Sequence, residues 1–205
     1  MKFTKKDLFA TILTGLITGL IVWRILLFLK YPSYNGISFV WLLVVVPIIW
    51  IVGVNFGYLL GRWIAFFNQF GRFAVIGFTN AAVDFGVLNL LIAWSGIAEG
   101  NWYSVFKAVS FLVAMIHSYM WNKYWAFNAA GTERVGGEFI KFVVVSVASL
   151  LVNVAVASMV VNSVHPLFGL DIKTWANVGA IFGSAAALIF NFAGLRLAVF
   201  RGTND

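Results

Sequence analysis

The sequence predicts an all-α membrane protein of six transmembrane helices, the last four forming two tandem two-helix repeats of parallel orientation. Three observations carry that expectation. First, the 205 residues are 62% hydrophobic and only 10% charged, with a mean hydropathy of +0.95. A soluble domain carries about 25% charged residues, so this chain lacks the polar surface to cover itself in water. Its long unbroken apolar runs favour helices over a barrel, because each helix satisfies its own backbone in lipid. Second, the chain repeats itself. RFAVIGFTNAAVDFGVLNLL from Arg72 is echoed by KFVVVSVASLLVNVAVASMV from Lys141, which places Gly77 on Ser146, Asn80 on Ser149 and Asp84 on Asn153. SYMWNKYWAF, ending at Phe127, is echoed by NFAGLRLAVF, ending at Phe200, with Ser110, Ala114 and Ser118 on Gly183, Ala187 and Asn191 and Lys123 on Arg196. Apolar helices resemble one another by composition alone, but small polar residues and terminal cations in register mark a duplication. Third, the fourteen Lys and Arg are unevenly shared between the two ends of the spans.

Taken in order, MKFTKKD precedes a first span from Leu8 to about Leu29 that is apolar apart from Arg24. The run is too long for a signal peptide and no small-residue cleavage site follows it. YPSYNG (Tyr31 to Gly36) is a turn by its Pro, Asn and Gly content. A second span covers about Ile37 to Leu60, with Pro47 expected to kink it. GRWIAFFNQFGR (Gly61 to Arg72) suits a short interfacial segment with Trp63, Phe66, Phe67 and Phe70 at headgroup level. The third span is Phe73 to about Trp94, the fourth about Trp102 to Trp125, the fifth about Phe139 to Val161 and the sixth about Thr174 to Val199. Each is near the ~20 residues needed to cross the bilayer core. The polar, Gly-rich loop Asn128 to Glu138 separates the repeats. Residues 1–70 thus form a two-helix extension with an interfacial segment, and residues 71–205 a four-helix core with repeats at about 71–127 and 139–201.

Lys2, Lys5, Lys6, Arg62, Arg72, Lys123, Arg134, Lys141, Arg196 and Arg201 fall on the side of the two termini, against Arg24, Lys30, Lys107 and Lys173 on the other. Positive-inside bias therefore puts both termini in the cytoplasm and gives the two repeats the same orientation. The net charge of +7 is explained by these membrane-flanking cations. No soluble basic module is present to bind nucleic acid. The absence of cysteine excludes thiol chemistry. No metal cluster, phosphate-cradling glycine loop or nucleophile–base pattern is present, so neither a metal, a cofactor nor an enzyme is expected.

Within the core, Asp84 lies roughly 18 Å along the helix from Arg72, near the bilayer midplane. A carboxylate there costs at least ~2.5 kcal/mol to insert and should face the bundle interior with a partner. Gly77, Asn80 and Asp84 share one helical face. On the fourth span Ser110, Ala114, Ser118 and Asn122 recur every fourth residue with His117 beside them. On the sixth, Gly179, Gly183, Ala187 and Asn191 do the same. Such small residues let helices approach closely, and His117 sits where it can reach Asp84 or serve only as a structural histidine. Lys107 either snorkels outward or neutralises Asp84. Arg72, Lys123, Lys141 and Arg196 begin or end the four repeated helices. Each alone is a topology signal, but with Asn122 and Asn191 they make a candidate basic pocket for a lipid phosphate.

RFxxxGxxNxxxDFG followed by NKxWxF, in four spans with basic ends, resembles the GtrA-like family over about Gly71 to Arg201. The resemblance implies a small polytopic protein of the cytoplasmic membrane. It implies a flippase moving a polyprenyl-phosphate-linked monosaccharide for cell-envelope polysaccharide or teichoic-acid glycosylation. It points to Arg72, Asn80, Asp84, Asn122 and Lys123, with Asn191 and Arg196 in the second repeat. Lys123 stands where arginine is expected, which loses bidentate phosphate geometry, and the first two spans are an extension beyond the usual core. In this reading Arg72, Asn122, Lys123, Lys141, Asn191 and Arg196 hold the phosphate, and Asn80, Asp84, Lys107, His117 and Asn153 serve the sugar or a coupling step. Partners are the lipid-linked sugar, membrane lipids, and a second copy of the chain or a membrane glycosyltransferase. Two other readings stand beside it. One is an anchor or assembly subunit for a polyprenyl-phosphate glycosyltransferase. The other is a proton-coupled exporter of cations, which the basic inner cluster disfavours.

Overall fold

The computed structural model describes residues 2–97, 100–129, 135–169 and 172–200, and these are almost wholly helical. The six helices are α1 (Lys5–Phe28), α2 (Leu42–Leu60), α3 (Phe67–Ser95), α4 (Gly100–Trp121), α5 (Val135–Ser163) and α6 (Ile172–Gly194). Among the described residues, Lys5–Phe28, Phe39–Leu60 and Phe67–Ser95 are long and apolar enough to cross a membrane. The chain divides into two compact units, Met1–Asn128 and Ala129–Asp205.

In the first unit α1 starts at a capping box. Thr4 Oγ1 accepts from the Asp7 backbone N–H at 3.2 Å and the Asp7 carboxylate accepts from the Thr4 N–H at 2.9 Å, satisfying donors that a helix start leaves orphaned. After α1 the chain turns through the hairpin β1 (Ser33–Tyr34) and β2 (Ile37–Ser38). Asn35 and Gly36 lie between the strands with φ of 49° and 78°, the left-handed pair that an Asn-Gly type I′ turn needs. Ile37, expected to begin the second span, is instead paired with Tyr34. A 3-10 turn (Phe39–Trp41) then leads into α2, which runs on through Pro47.

Close approach at glycine holds the first three helices together. Gly15 and Gly19 on α1 sit so near α2 that a Cβ would lie 2.5 Å from Pro47 Cα and 2.5 Å from the Leu42 carbonyl oxygen respectively. This is the small-xxx-small packing of membrane helices. Lower on α2, Gly57 meets α3 at Gly71, where a Cβ on Gly57 would be 3.1 Å from the Gly71 Cα. The outer stripe of α2, Val44, Ile48, Val52 and Phe56, is exposed at the i, i+4 spacing of one helical face, as befits a lipid-facing surface.

Helix α3 begins at Phe67 rather than Phe73, so most of the expected interfacial segment is helical. The reason is aromatic packing: Phe66 stacks on Phe70 with centroids 5.0 Å apart, Phe67 meets Phe66 edge-on at 5.3 Å, and Phe73 lies 6.3 Å from Phe127. Trp63, outside the helix, stays 73% exposed, as an interfacial tryptophan should. Gly96, with φ 72°, ends α3 in a left-handed cap, its N–H on the Ile92 carbonyl at 2.8 Å.

Helix α4 ends four residues before the predicted end of its span and passes into a π-helical segment, π1 (Asn122–Ala126), closed by the Phe127 N–H on the Asn122 carbonyl at 3.0 Å. In the second unit, α5 and α6 pack with Gly194 against Val145. There α6 passes into π2 (Leu195–Val199), closed by the Phe200 N–H on the Leu195 carbonyl at 2.8 Å. The two π segments fall on one another in the sequence alignment of the repeats, and α3 and α5 each have 29 residues. The side chains of Lys107, Lys173 and Gly179, and residues Arg134 and Arg201, lie outside the described residues.

Candidate functional site

Helix α3 presents two polar faces. Arg72, Thr79 and Gly86, seven residues apart, turn to α1, where Thr18 donates to Thr79 Oγ1 at 3.1 Å and Gly86 meets Ile21. Asn80 and Asp84 turn to α4, where Ser110 donates through Oγ to Asp84 Oδ1 at 2.7 Å.

The first face ends in a network that sequence reasoning missed. Asp7 on α1 is fully buried and lies against Arg72, with Nε 2.8 Å from Oδ1 and Nη2 3.3 Å from Oδ2. Nε approaches Oδ1 as a charge contact without an aligned N–H. Three further donors converge on the same carboxylate: the Tyr58 hydroxyl from α2 at 3.0 Å, the Trp125 indole N–H from π1 at 3.0 Å and the Thr4 hydroxyl at 2.7 Å. Arg72 also donates through Nη1 to the Trp125 carbonyl at 3.3 Å and lies 5.4 Å from the Tyr58 ring centroid. One carboxylate therefore ties α1, α2, α3 and π1 together, and a buried acid is tolerated because a cation and several donors compensate it. The sequence signal was present in Thr4-x-x-Asp7, a capping box ahead of an apolar run. The expected phosphate ligand Arg72 is thus ion-paired within the protein. A guanidinium has five N–H donors, and with Asp7 and the Trp125 carbonyl engaging one on each nitrogen, the outer N–H of each Nη remains.

The second face is a seam between α3 and α4. Ser110 is fully buried and Asp84 half-buried. Toward the π1 end, Ala114, His117, Ser118 and Asn122 continue the Ser110 face at helical spacing. Asn122 is buried and donates to the Ser118 carbonyl and hydroxyl at 2.8 and 3.2 Å. Asn80 Oδ1, Asn122 Oδ1 and both ring nitrogens of His117 are buried without a hydrogen-bond partner in the protein. A buried polar atom left unsatisfied costs about 1–3 kcal/mol, and four in one seam mark a surface suited to a polar ligand. Lys123 is 1% exposed, its ammonium 5.8 Å from the Tyr119 ring centroid.

In the second unit, Lys141 is exposed on α5, Asn153 and Arg196 are half-buried, and Asn191 Oδ1 on α6 is another buried acceptor without a protein partner. Asp84, Asn80, His117 and Asn122 are thus gathered on one seam, while Arg72 belongs to the neighbouring α1 network.

Residues 72–200 match the family described as GtrA/DPMS, transmembrane domain. The chain belongs to the GtrA/DPMS transmembrane-domain family. Membership makes it a multi-pass membrane protein of a family concerned with polyprenyl-phosphate-linked sugars. The match includes Arg72, the whole α3–α4 seam and both π segments, whereas Asp7, Tyr58, α1 and α2 lie outside it. An uncharacterized membrane protein, YngA of Bacillus subtilis (strain 168), is 25% identical over 130 residues, 63% of this chain and 78% of that protein. No solved structure matches.

Proposed function

We propose that this protein is a flippase, carrying a polyprenyl-phosphate-linked monosaccharide across the cytoplasmic membrane, chemically unchanged, for cell-envelope polysaccharide or teichoic-acid glycosylation. The observation that supports it best is the α3–α4 seam. Asp84 and Ser110 are hydrogen-bonded there, and Asn80, His117 and Asn122 bring buried polar atoms without protein partners. Sugar hydroxyls both donate and accept, so they suit such a mixed set. Asp84 and Asn153 occupy matching places in the two repeats, and Lys107 lies one helical turn from Ser110 on the sequence of α4.

Phosphate capture falls to the cationic end of each repeat. In the first it uses Asn122, Lys123 and the remaining N–H groups of Arg72, and in the second Lys141, Asn191 and Arg196. The polyprenyl tail stays in lipid throughout. The tandem duplication is supported by the equal lengths of α3 and α5 and by the in-register π segments, which frequently mark functional sites in helices. On this reading all six helices span, the termini are cytoplasmic, and the protein works as a homo-oligomer or beside the glycosyltransferase that loads the lipid.

The test is reconstitution in vesicles with a labelled polyprenyl-phosphate sugar, scoring its arrival at the opposite leaflet. Wild type should deliver it, and Arg196→Gln should bind it more weakly, with a smaller deficit at high salt because interfacial charge is screened. Equal binding of the neutral polyprenol would remove phosphate recognition from the cationic ends.

A further inference from the structure

A second lipid-facing feature of the first unit lies at the other end of α1 and α3 from the Asp7 network. Between these helices runs a groove of about 400 Å³, walled chiefly by hydrocarbon from residues such as Ile21, Phe28, Val83 and Leu90, with Arg24 at its edge. That volume falls within the range of ligand pockets. Arg24 is the only charged residue lining it, is exposed, and makes no hydrogen bond or ion pair with any described residue. It lies four residues before the last residue of α1, about 6 Å along the axis. A guanidinium there can reach the headgroup layer while its stem stays against apolar surface. In the predicted topology this is the outer leaflet, where positive-inside bias gives no reason for an arginine.

We infer that the α1–α3 groove binds a polyprenyl phosphate from the outer leaflet, its single hydrocarbon chain in the groove and its phosphate on Arg24. Charge complementarity supplies the head: an unpaired cation beside hydrocarbon selects an amphiphile with an anionic group. The single channel supplies the tail, since a glycerophospholipid would leave one of its two chains outside. Half of this groove comes from α1, outside the family match, so the site is an addition made by the N-terminal extension. It rests on the flippase reading for its purpose, holding the carrier after translocation, but its existence is testable separately from transport.

The probe is a polyprenyl phosphate with a diazirine at the chain end, added to the full chain in phosphatidylcholine nanodiscs, with labelled peptides mapped after irradiation. Wild type should be labelled on the α1 segment around Ile21 or on α3 around Leu90. Arg24→Gln should reduce labelling about fivefold, the weight of one interfacial cation on an anionic headgroup, and Arg24→Lys should restore most of it. Ala93→Trp, which fills the groove from α3, should also reduce it. Each variant is compared only as a monodisperse protein, and Asp84→Asn, in the other seam, should label as wild type. Undiminished labelling of Arg24→Gln, or equal labelling by the unphosphorylated polyprenol probe, overturns the inference. So does displacement of the probe by modest phosphatidylglycerol, which would assign the groove to bulk lipid. Groove labelling that persists in a protein without transport refutes the flippase reading alone; transport without groove labelling refutes this inference alone.

Discussion

Asp7→Asn tests whether the N-terminal extension is held to the family core by charge. The carboxylate is fully buried against an Arg72 side chain that is 14% exposed, at 2.8 Å, and also accepts from Tyr58, Trp125 and Thr4. Removing one partner of a buried ion pair costs about 3–5 kcal/mol, chiefly because the other charge is left uncompensated. Asparagine keeps the shape and one acceptor oxygen, so the lower end, about 3 kcal/mol, is expected. At about 2–4 °C per kcal/mol for a chain of this size, this predicts an apparent melting temperature lower by about 6–12 °C. The assay is thermal unfolding in detergent, followed by the monodisperse fraction on size exclusion at one heating rate, because membrane proteins of this kind unfold irreversibly. The decisive variant is the double substitution. Arg72→Gln alone strands the carboxylate, but with Asp7→Asn it leaves two neutral amides, and the pair should recover at least ~1 kcal/mol relative to the sum of the single losses. A drop below about 2 °C for Asp7→Asn, or strictly additive losses, would show that the network contributes little to holding the extension.

Three further outcomes are expected. Gly15→Leu and Gly19→Leu should lower the melting temperature strongly, since even a Cβ would lie 2.5 Å from α2 backbone atoms, whereas Gly53→Ala meets nothing within 4 Å and should be neutral or stabilising by up to ~1 kcal/mol; parallel melting curves separate them. In the vesicle assay Asp84→Asn should deliver less lipid-linked sugar but a measurable amount, because it keeps an acceptor for Ser110 and Asn153 occupies the matching place in the other repeat, while Asp84→Ala should fail; normal delivery by a well-expressed Asp84→Ala protein would remove this residue from the site. Reporter tags at Thr132 and the C-terminus should read as cytoplasmic and those near Gly36, Glu99 and Gly169 as external, and a cytoplasmic tag near Glu99 would break the two-plus-two arrangement.

The helical architecture and the α3–α4 seam were legible because each follows from local spacing: apolar length marks the helices, and Asn80, Asp84, Ser110, His117 and Asn122 reveal their faces through a period of 3.6. Three kinds of feature were not legible. Asp7 was read as part of a charged leader because its partners Tyr58, Arg72 and Trp125 stand 51, 65 and 118 residues away, and no local pattern announces such a convergence. The start of α3 was placed late because Phe66, Phe67 and Phe70 look interfacial by composition, yet they gain more from packing on one another and on the helix. The hairpin took Ile37 from the expected second span because strand pairing across Asn35–Gly36 competes with a helix start, and hydropathy cannot rank the two. The π segments are composed of ordinary helix residues, and only the hydrogen-bond register distinguishes them.

That register sets how the chain tolerates length change. Within π1 each carbonyl skips one extra residue before it meets its N–H, so the segment holds one residue more than a regular turn, and Trp125 reaches the Asp7 carboxylate only with that surplus in place. Deleting one residue between Asn122 and Ala126 would let the helix run on with ordinary bonding and no lost backbone pairs, yet turn everything beyond by roughly 100°. The indole would swing away from α1 and Phe127 from Phe73. A shortened chain would therefore look sound by helix content and fail in tertiary packing. The same deletion in the segment Leu195–Val199 would rotate Phe200 in the same way, with no Asp7 network at stake.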